Sequence, residues 1–487
     1  MREIKHRISW RTSLIVFLAL ILLLTGFLVV RDLVRPAVTF VDSRLELAVR
    51  EHLDIREGPI SQQDAQSIIE LDAYGMGIQR LEGIENLTAL EGLNLHDNFI
   101  EDLSPLAGLT RLRSLNLRNN EIYDLELVNF HRITHLPLVE LSLRHNVFDL
   151  EDGTRIRIAD ISLLGELTEL EVLELRDNHI ADLSPLASLE NLRVLDLCEN
   201  RIADIDALSA LTGLRELNLR ENQVTDLSPL HELTGLVYLN IHTNPIDGGW
   251  ETLANFSSLE TLIMRNVEIA DHAWALSGLV NLRRLNMRNT AVEDLSFLGK
   301  MNDILILDLR DNRIVDISLL AQASRLEELD LRKNGILDVT PLGELTSLRS
   351  LNLRDNAVAD IAPLGRLSEL RYLNIHSNPI EDGLPVLENL VHLERLIMRN
   401  VRIGGEYHFL AGLSNLQGLN IQNTDIDSLE PLGVLMARGA LQDDVELAIF
   451  AYVNILENNP TADGEDTYAP IRPYWENITY RYPLELP

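Results

Sequence analysis

Leu112-Arg-Ser-Leu115-Asn-Leu117-Arg-Asn-Asn120-Glu-Ile122 returns about a hundred residues later as Leu214-Arg-Glu-Leu217-Asn-Leu219-Arg-Glu-Asn222-Gln-Val224. The shared pattern is L-x-x-L-x-L-x-x-N-x-I. The position held by Asn120 recurs at residues 76, 98, 120, 146, 178, 200, 222, 244, 267, 290, 312, 334, 356, 378, 401 and 424, giving sixteen units mostly 22 or 23 residues apart. Asparagine fills it in eleven units; Met76, Val267, Val401, Thr290 and Thr424 fill the others. A degenerate seventeenth unit ends at Val453-Asn-Ile455-Leu-Glu-Asn458. Self-similarity at one short period is the mark of an array in which each unit packs only on its neighbours.

The chemistry of the unit agrees. In x-L-x-L-x alternate side chains point to opposite faces, so the leucines turn inward and the residues between them line an exposed surface. A buried asparagine can satisfy backbone groups where the chain turns out of the strand. Asp102-Leu-Ser-Pro-Leu106 and Asp226-Leu-Ser-Pro-Leu230 carry a proline that breaks regular helix and predicts a tight wall opposite the strand.

The 22-residue unit ending I-x-D-L-x-P-L-x-x-L resembles the leucine-rich repeats of internalins and of the phosphatase-regulator subfamily, over residues 60–460. The resemblance implies an α/β solenoid, a leucine-rich-repeat horseshoe with a parallel β-sheet on its concave face, a face such proteins usually use to bind another protein. Residues 43–76 resemble the N-terminal helical cap of that family. Ser43 to Leu53 has helical spacing, and Pro59-Ile-Ser61-Gln-Gln-Asp64 has the capping-box start of a second short helix.

A longer period lies above the short one. The anchors at 178, 200, 222, 244, 267 and 290 map onto 312, 334, 356, 378, 401 and 424 with a constant offset of 134. Asn240-Ile-His242-Thr-Asn244-Pro-Ile246 returns as Asn374-Ile-His376-Ser-Asn378-Pro-Ile380, as expected of a six-repeat block duplicated whole. Between 146 and 178 the array is interrupted, and alternation on both sides of Asp152-Gly153 predicts a hairpin insertion near 147–160. Asp149, Glu151 and Asp152 miss the spacing of a calcium loop. From Pro460 to Pro487 the composition shifts to proline and tyrosine with Trp475, the composition of a C-terminal cap or of a linker.

The domain plan that follows is 1–12 as a cytoplasmic N-terminus, 13–30 as a transmembrane signal anchor, 36–76 as cap and first repeat, 77–459 as repeats and 460–487 as cap or linker. Residues 13–30 hold no charge and as a helix would span roughly 27 Å, enough for one crossing. Arg2, Lys5, Arg7 and Arg11 precede the run, which predicts a single-pass cell-membrane protein with its repeats outside the cytoplasm. A cleaved signal peptide is the competing reading, though no small-x-small site follows the run.

The 487 residues carry a formal charge of −33, and the 36 basic and 73 acidic residues after Arg35 sum to −37. Such a balance predicts no nucleic-acid partner. Cys198, the single cysteine, excludes an intramolecular disulfide and any zinc site built on paired cysteines. No nucleophile elbow, phosphate loop or H-E-x-x-H motif appears in context, so neither an enzyme nor a cofactor is expected. Asn86, Asn255 and Asn477 head N-x-S/T triplets.

The candidate site is the residue after the second strand leucine. It is arginine in ten units, of which Arg176, Arg220, Arg265, Arg288, Arg310, Arg332, Arg354 and Arg399 are taken as the binding column, with His242 and His376 in the same line. Tyr238 and Tyr372 join them on the same face. Strands stack about 4.8 Å apart, so like charges in such a column repel unless carboxylates compensate. Asp177, Glu199, Glu221, Asp311 and Asp355 sit next in line, and Glu174, Asp196, Asp308 and Asp330 two residues before. The two readings are a self-neutralising lattice and a face for an acidic peptide, protein or glycan. No metal is expected, because neither histidine has a second ligand at the required spacing. The function expected is a membrane-anchored protein binding a protein or glycan through the concave face; the alternatives are a regulatory subunit of a cytosolic enzyme and an envelope spacer.

Overall fold

The pattern x-L-x-L-x becomes a three-residue strand that continues into the next leucine, because alternation buries both leucines and turns the flanking residues to the opposite face of the sheet. The structure, a computed structural model, describes residues 37–405, 407–441, 452–454, 468–478 and 480–482. The chain divides into two units, Met1–Leu170 and Glu171–Pro487.

In the first unit the strands Glu70–Asp72, Gly92–Asn94, Ser114–Asn116 and Glu140–Ser142 pair in parallel, with Leu71, Leu93, Leu115 and Leu141 opposite one another. Two helices precede them, α1 at Ser43–Leu53 and α2 at Gln62–Ala65. The Asp42 carboxylate accepts the Arg44 N–H at the start of α1, and Ser61 with Asp64 forms a reciprocal capping box on α2. Val147–Asp149 and Arg155–Arg157 form an antiparallel hairpin whose turn runs through Gly153 at φ +83°, a conformation glycine takes without strain.

In the second unit twelve strands from Val172–Glu174 to Gly418–Asn420 pair in parallel and in register, leucine opposite leucine throughout. Tyr452–Asn454 and Tyr480–Tyr482 continue the pairing. Helix α3, Glu430–Ala437, lies against the segment after 468, so closely that a side chain at Gly433 would meet the Pro470 carbonyl at 2.6 Å.

The far wall of the repeats is built of short 3-10 turns such as Ser104–Gly108, Ser184–Ser188 and Ala362–Arg366. An aspartate two residues ahead starts many of them. Asp102, Asp182, Asp316 and Asp360 each accept the backbone N–H two residues on at 2.8 Å. A good part of the negative charge is thus turn chemistry.

The anchor asparagines form a ladder. Asn222 donates to the carbonyls of Leu197 at 2.9 Å and Leu219 at 3.0 Å, and its Oδ1 accepts the Ile202 N–H at 3.0 Å. Leu219 O also accepts from Asn244 at 2.8 Å, and Leu197 O from Asn200 at 3.0 Å, so each carbonyl is shared by two successive repeats. Asn312, Asn334, Asn356 and Asn378 repeat the arrangement. Thr290 and Thr424 replace it partly, each hydroxyl donating to the carbonyl three residues back. Val267 and Val401 have no donor to offer and interrupt the ladder.

Among the described residues no helix is long and apolar enough to cross a membrane. The longest, α1, has 11 residues, about 16 Å, and carries Arg44, Glu46, Arg50 and Glu51. The run at 13–30 lies outside the described residues. The expectation of a single-pass cell-membrane protein with extracytoplasmic repeats is therefore corrected.

Candidate binding face

The strands of the second unit place the candidate residues in one line. Beyond each three-residue strand the backbone ladder continues: Glu199 N–H donates to Arg220 O, Glu221 to His242, Thr243 to Arg265, Asn266 to Arg288, Asn289 to Arg310, Asp311 to Arg332, Lys333 to Arg354, Asp355 to His376 and Ser377 to Arg399, at 2.8 to 3.1 Å. Arg176 precedes Cys198 in the same line through the Asp177 N–H. Tyr238 and Tyr372 open the strands that lead to His242 and His376, on the same face by alternation. The residue after each column position is left-handed: Asp177, Glu199, Glu221, Asp311, Lys333 and Asp355 have φ between +51° and +59°. Asp and Asn take that conformation more readily than most residues. Their abundance there has a backbone cause as well as an electrostatic one.

Six of the eight arginines are held by carboxylates. Arg176 meets Glu199 at 2.8 Å, Arg220 meets Glu221 at 2.5 Å, and Arg288 reaches across to Asp311 at 2.8 Å, which Lys333 also approaches at 3.3 Å. Arg310 holds Asp308 and Arg332 holds Asp330, both at 2.8 Å, and Arg354 holds Asp355 at 3.0 Å. Burial pushes the Asp308 carboxyl above its ordinary range in spite of Arg310, and Asp330 adds to the rise. Arg284, Asp308, Arg310, Glu328, Asp330 and Tyr372 border a cleft of about 360 Å³.

Arg265 and Arg399 are the exceptions. The Nε of each is buried without a hydrogen-bond acceptor. Burial, with Arg288 and Arg310 beside it, lowers the Arg265 guanidinium from its ordinary value. His242 is buried, its Nε2 is unpartnered and its Nδ1 lies 3.0 Å from the Thr243 hydroxyl. Burial, then Arg265 and Arg220, hold its imidazole below the ordinary value; burial and Arg354 do the same for His376. Cys198, also buried, has its thiol pushed up to about 12 by burial and by Asp196 and Glu199, so it stays protonated and unreactive. Among the described residues no group of three or more His, Cys, Asp or Glu side chains could hold a metal ion.

The signal for the two exceptions was present in the sequence. The strand position two before Arg265 is Ile263 and the residue after it is Asn266; around Arg399 they are Ile397 and Asn400. A cleft in the first unit carried no such signal. Phe99, Tyr123, Leu127 and Phe148 border about 330 Å³ there, with the Tyr123 and Phe148 rings 5.0 Å apart. It joins the hairpin to turns distant in sequence.

A parallel in-register sheet of leucine strands, an asparagine ladder behind it and 3-10 turns opposite define a leucine-rich-repeat solenoid. The family described as Leucine Rich repeats (2 copies) matches residues 168–210, 190–230, 212–255 and 346–389. No curated protein sequence matches the chain. Among solved structures, an internalin (inlF) from Listeria monocytogenes is 32% identical, covering 68% of this chain and 95% of its own, at a TM-score of 0.61. A leucine-rich-repeat protein of Leptospira interrogans is 20% identical over 77% of this chain and 96% of its own, also at 0.61. The leucine-rich-repeat ectodomain of the Arabidopsis thaliana membrane receptor kinase GASSHO1/SCHENGEN3, solved in complex with CASPARIAN STRIP INTEGRITY FACTOR 2, is 20% identical over 82% of this chain and 54% of its own, at 0.53. The chain belongs to the leucine-rich-repeat family, and within it to the internalin-like type.

Proposed function

We propose that the chain is a binding scaffold that takes a protein partner on the exposed face of the sheet in residues 171–487. The observation that carries this reading is the unbroken ladder of polar and aromatic side chains along one sheet face, held in register by backbone hydrogen bonds from Arg176 to Arg399. The ion pairs along it order six of the eight guanidinium groups, which lowers the entropy lost when a partner docks. Tyr238 and Tyr372, half-buried beside it, add the aromatic contacts that interfaces favour. In this reading α1 and α2 close the end of the array ahead of its first strand, and catalysis has no part.

The test compares two variants of the full chain. Tyr238→Ala with Tyr372→Ala alters the face, whereas Arg366→Gln alters a far-wall 3-10 turn and breaks only the exposed pair with Glu344. Proteins captured per folded molecule are expected to fall about tenfold or more for the first and to stay unchanged for the second. Capture lost equally by both folded variants, or by neither, would remove the sheet face as the partner surface; no specific capture at all is the outcome of the spacer reading.

A further inference from the structure

The sheet face alternates between compensated and uncompensated stretches. On the strands Tyr238–Asn240, Thr261–Ile263 and Arg284–Asn286, counting the column residue and the left-handed residue that follow each, no exposed-face position is Asp or Glu. The same holds for Tyr372–Asn374, Arg395–Ile397 and Gly418–Asn420. In a chain this acidic, two three-strand windows without a carboxylate are conspicuous, and both contain arginines. Arg288 reaches out of the first window to Asp311. Arg265, Arg284, Arg395 and Arg399 make no ion pair among the described residues, and the Nε of Arg265 and of Arg399 has no acceptor at all. The carboxylate nearest in effect to Arg265 is Asp308, which Arg310 already holds at 2.8 Å.

We propose that the two windows are a pair of carboxylate-binding sites, centred on Arg265 and on Arg399, that receive two Asp or Glu side chains of one acidic polypeptide segment. The inference rests on the sheet face being the protein-binding surface and names what that surface selects. A planar guanidinium matches a carboxylate in bidentate geometry. The two arginines lie six strands apart, about 29 Å along the sheet at ~4.8 Å per strand, a distance an extended segment covers with about nine residues at ~3.3 Å each. Between them Asp308, Asp311, Asp330 and Asp355 border the path. A continuous polyanion such as nucleic acid or a sulfated glycan would have to cross that acidic stretch, whereas a peptide with neutral or basic residues between two acidic ends would not.

The probe is a synthetic fluorescent peptide with a Glu pair at each end of a nine-residue Gly/Ser spacer, compared with its Gln counterpart, by anisotropy at low salt with the full chain. The Glu probe is expected to bind at least about tenfold tighter than the Gln probe. Arg265→Gln and Arg399→Gln are each expected to weaken it about tenfold and together to abolish the preference, with Arg→Lys intermediate because charge survives and the fork does not. Melting curves confirm that each variant folds; if a Gln variant does not, the Lys variant supplies the comparison. Equal binding of the two probes, no binding of either, or a double variant indistinguishable from wild type overturns the proposal. Tighter, arginine-dependent binding of heparin overturns the polypeptide assignment. Loss of the Glu probe on Arg310→Gln/Arg332→Gln/Arg354→Gln with none on the double variant refutes the two sites yet keeps the face. Binding indifferent to all five arginines removes the face as well.

Discussion

Changing Asn222 and Asn244 to alanine, singly and together, measures how the repeats are joined. Asn222→Ala leaves the Ile202 N–H, which donates to Oδ1 at 3.0 Å, buried with no acceptor. It also takes one of two donors from Leu197 O and one of two from Leu219 O, which keep Asn200 and Asn244 respectively. An orphaned buried N–H costs about 1–3 kcal/mol and each lost bond to a still-partnered carbonyl about 0.5–1, so the single variant is expected to lose about 3 kcal/mol. Asn244→Ala should cost a similar amount, orphaning the Val224 N–H. In the double variant Leu219 O loses both donors, a penalty neither single variant incurs. The pair is therefore expected to exceed the sum by about 1–2 kcal/mol. Asn222→Ala combined with Asn334→Ala, which share no carbonyl, should be additive within about 0.5 kcal/mol. Urea unfolding followed by circular dichroism gives all the terms. Additivity for the adjacent pair would refute the shared-carbonyl account of the ladder.

Replacing Arg310, Arg332 and Arg354 together by Gln leaves Asp308, Asp330 and Asp355 without their partners. The melting temperature is expected to fall, and to fall further at low salt than at high, since exposed pairs are worth about 0–1 kcal/mol each and screening weakens the released repulsion; a salt-independent shift would contradict the lattice. The turn aspartates give a pH signature. Hydrogen bonds from the Ser184 and Ser318 backbone N–H and hydroxyl hold Asp182 and Asp316 below their ordinary 3.8, so their folded-state pKa is the lower one. Their contribution is present above the unfolded pKa and is lost as pH falls through the folded one. Asp182→Asn/Asp316→Asn should flatten the acid limb of the melting profile below about pH 4, and an unchanged slope would count against the turn role.

The strand leucines, the buried asparagine and the tight far wall were legible because each follows from a local pattern repeated many times. Compensation of the arginines was legible as chemistry but not as pairing. Asp177 and Asp355 follow Arg176 and Arg354 identically in sequence, yet Arg176 takes Glu199 from the next repeat while Arg354 takes Asp355, and Arg310 turns back to Asp308 on its own strand. Which carboxylate wins depends on side-chain reach between strands, which periodicity does not encode. The acidic residues before the anchors were read as charge, when their left-handed backbone explains their residue type equally well, and the aspartate that starts many of the 3-10 turns went unread beside its proline. The cleft at Phe99 and Phe148 needed three-dimensional closure of the hairpin against the repeats.

The interruption of the asparagine ladder at Val267 and Val401 bears on how the second unit moves. Where the ladder runs, opening one repeat strips donors from the wall of the next, so neighbours open together or not at all. At the two valines that buried tie is missing, and the repeats are joined by leucine packing, strand hydrogen bonds and the exposed side-chain bonds of Asn266 and Asn400 to their neighbours. The second unit thus behaves as cooperative segments meeting at seams, and backbone amides beside the seams should exchange with solvent sooner than those within the segments. The seams fall in the same repeats as Arg265 and Arg399, so the strands most able to adjust their spacing are those that carry the unpaired guanidinium groups, and they can yield to an incoming side chain without breaking the asparagine network on either side.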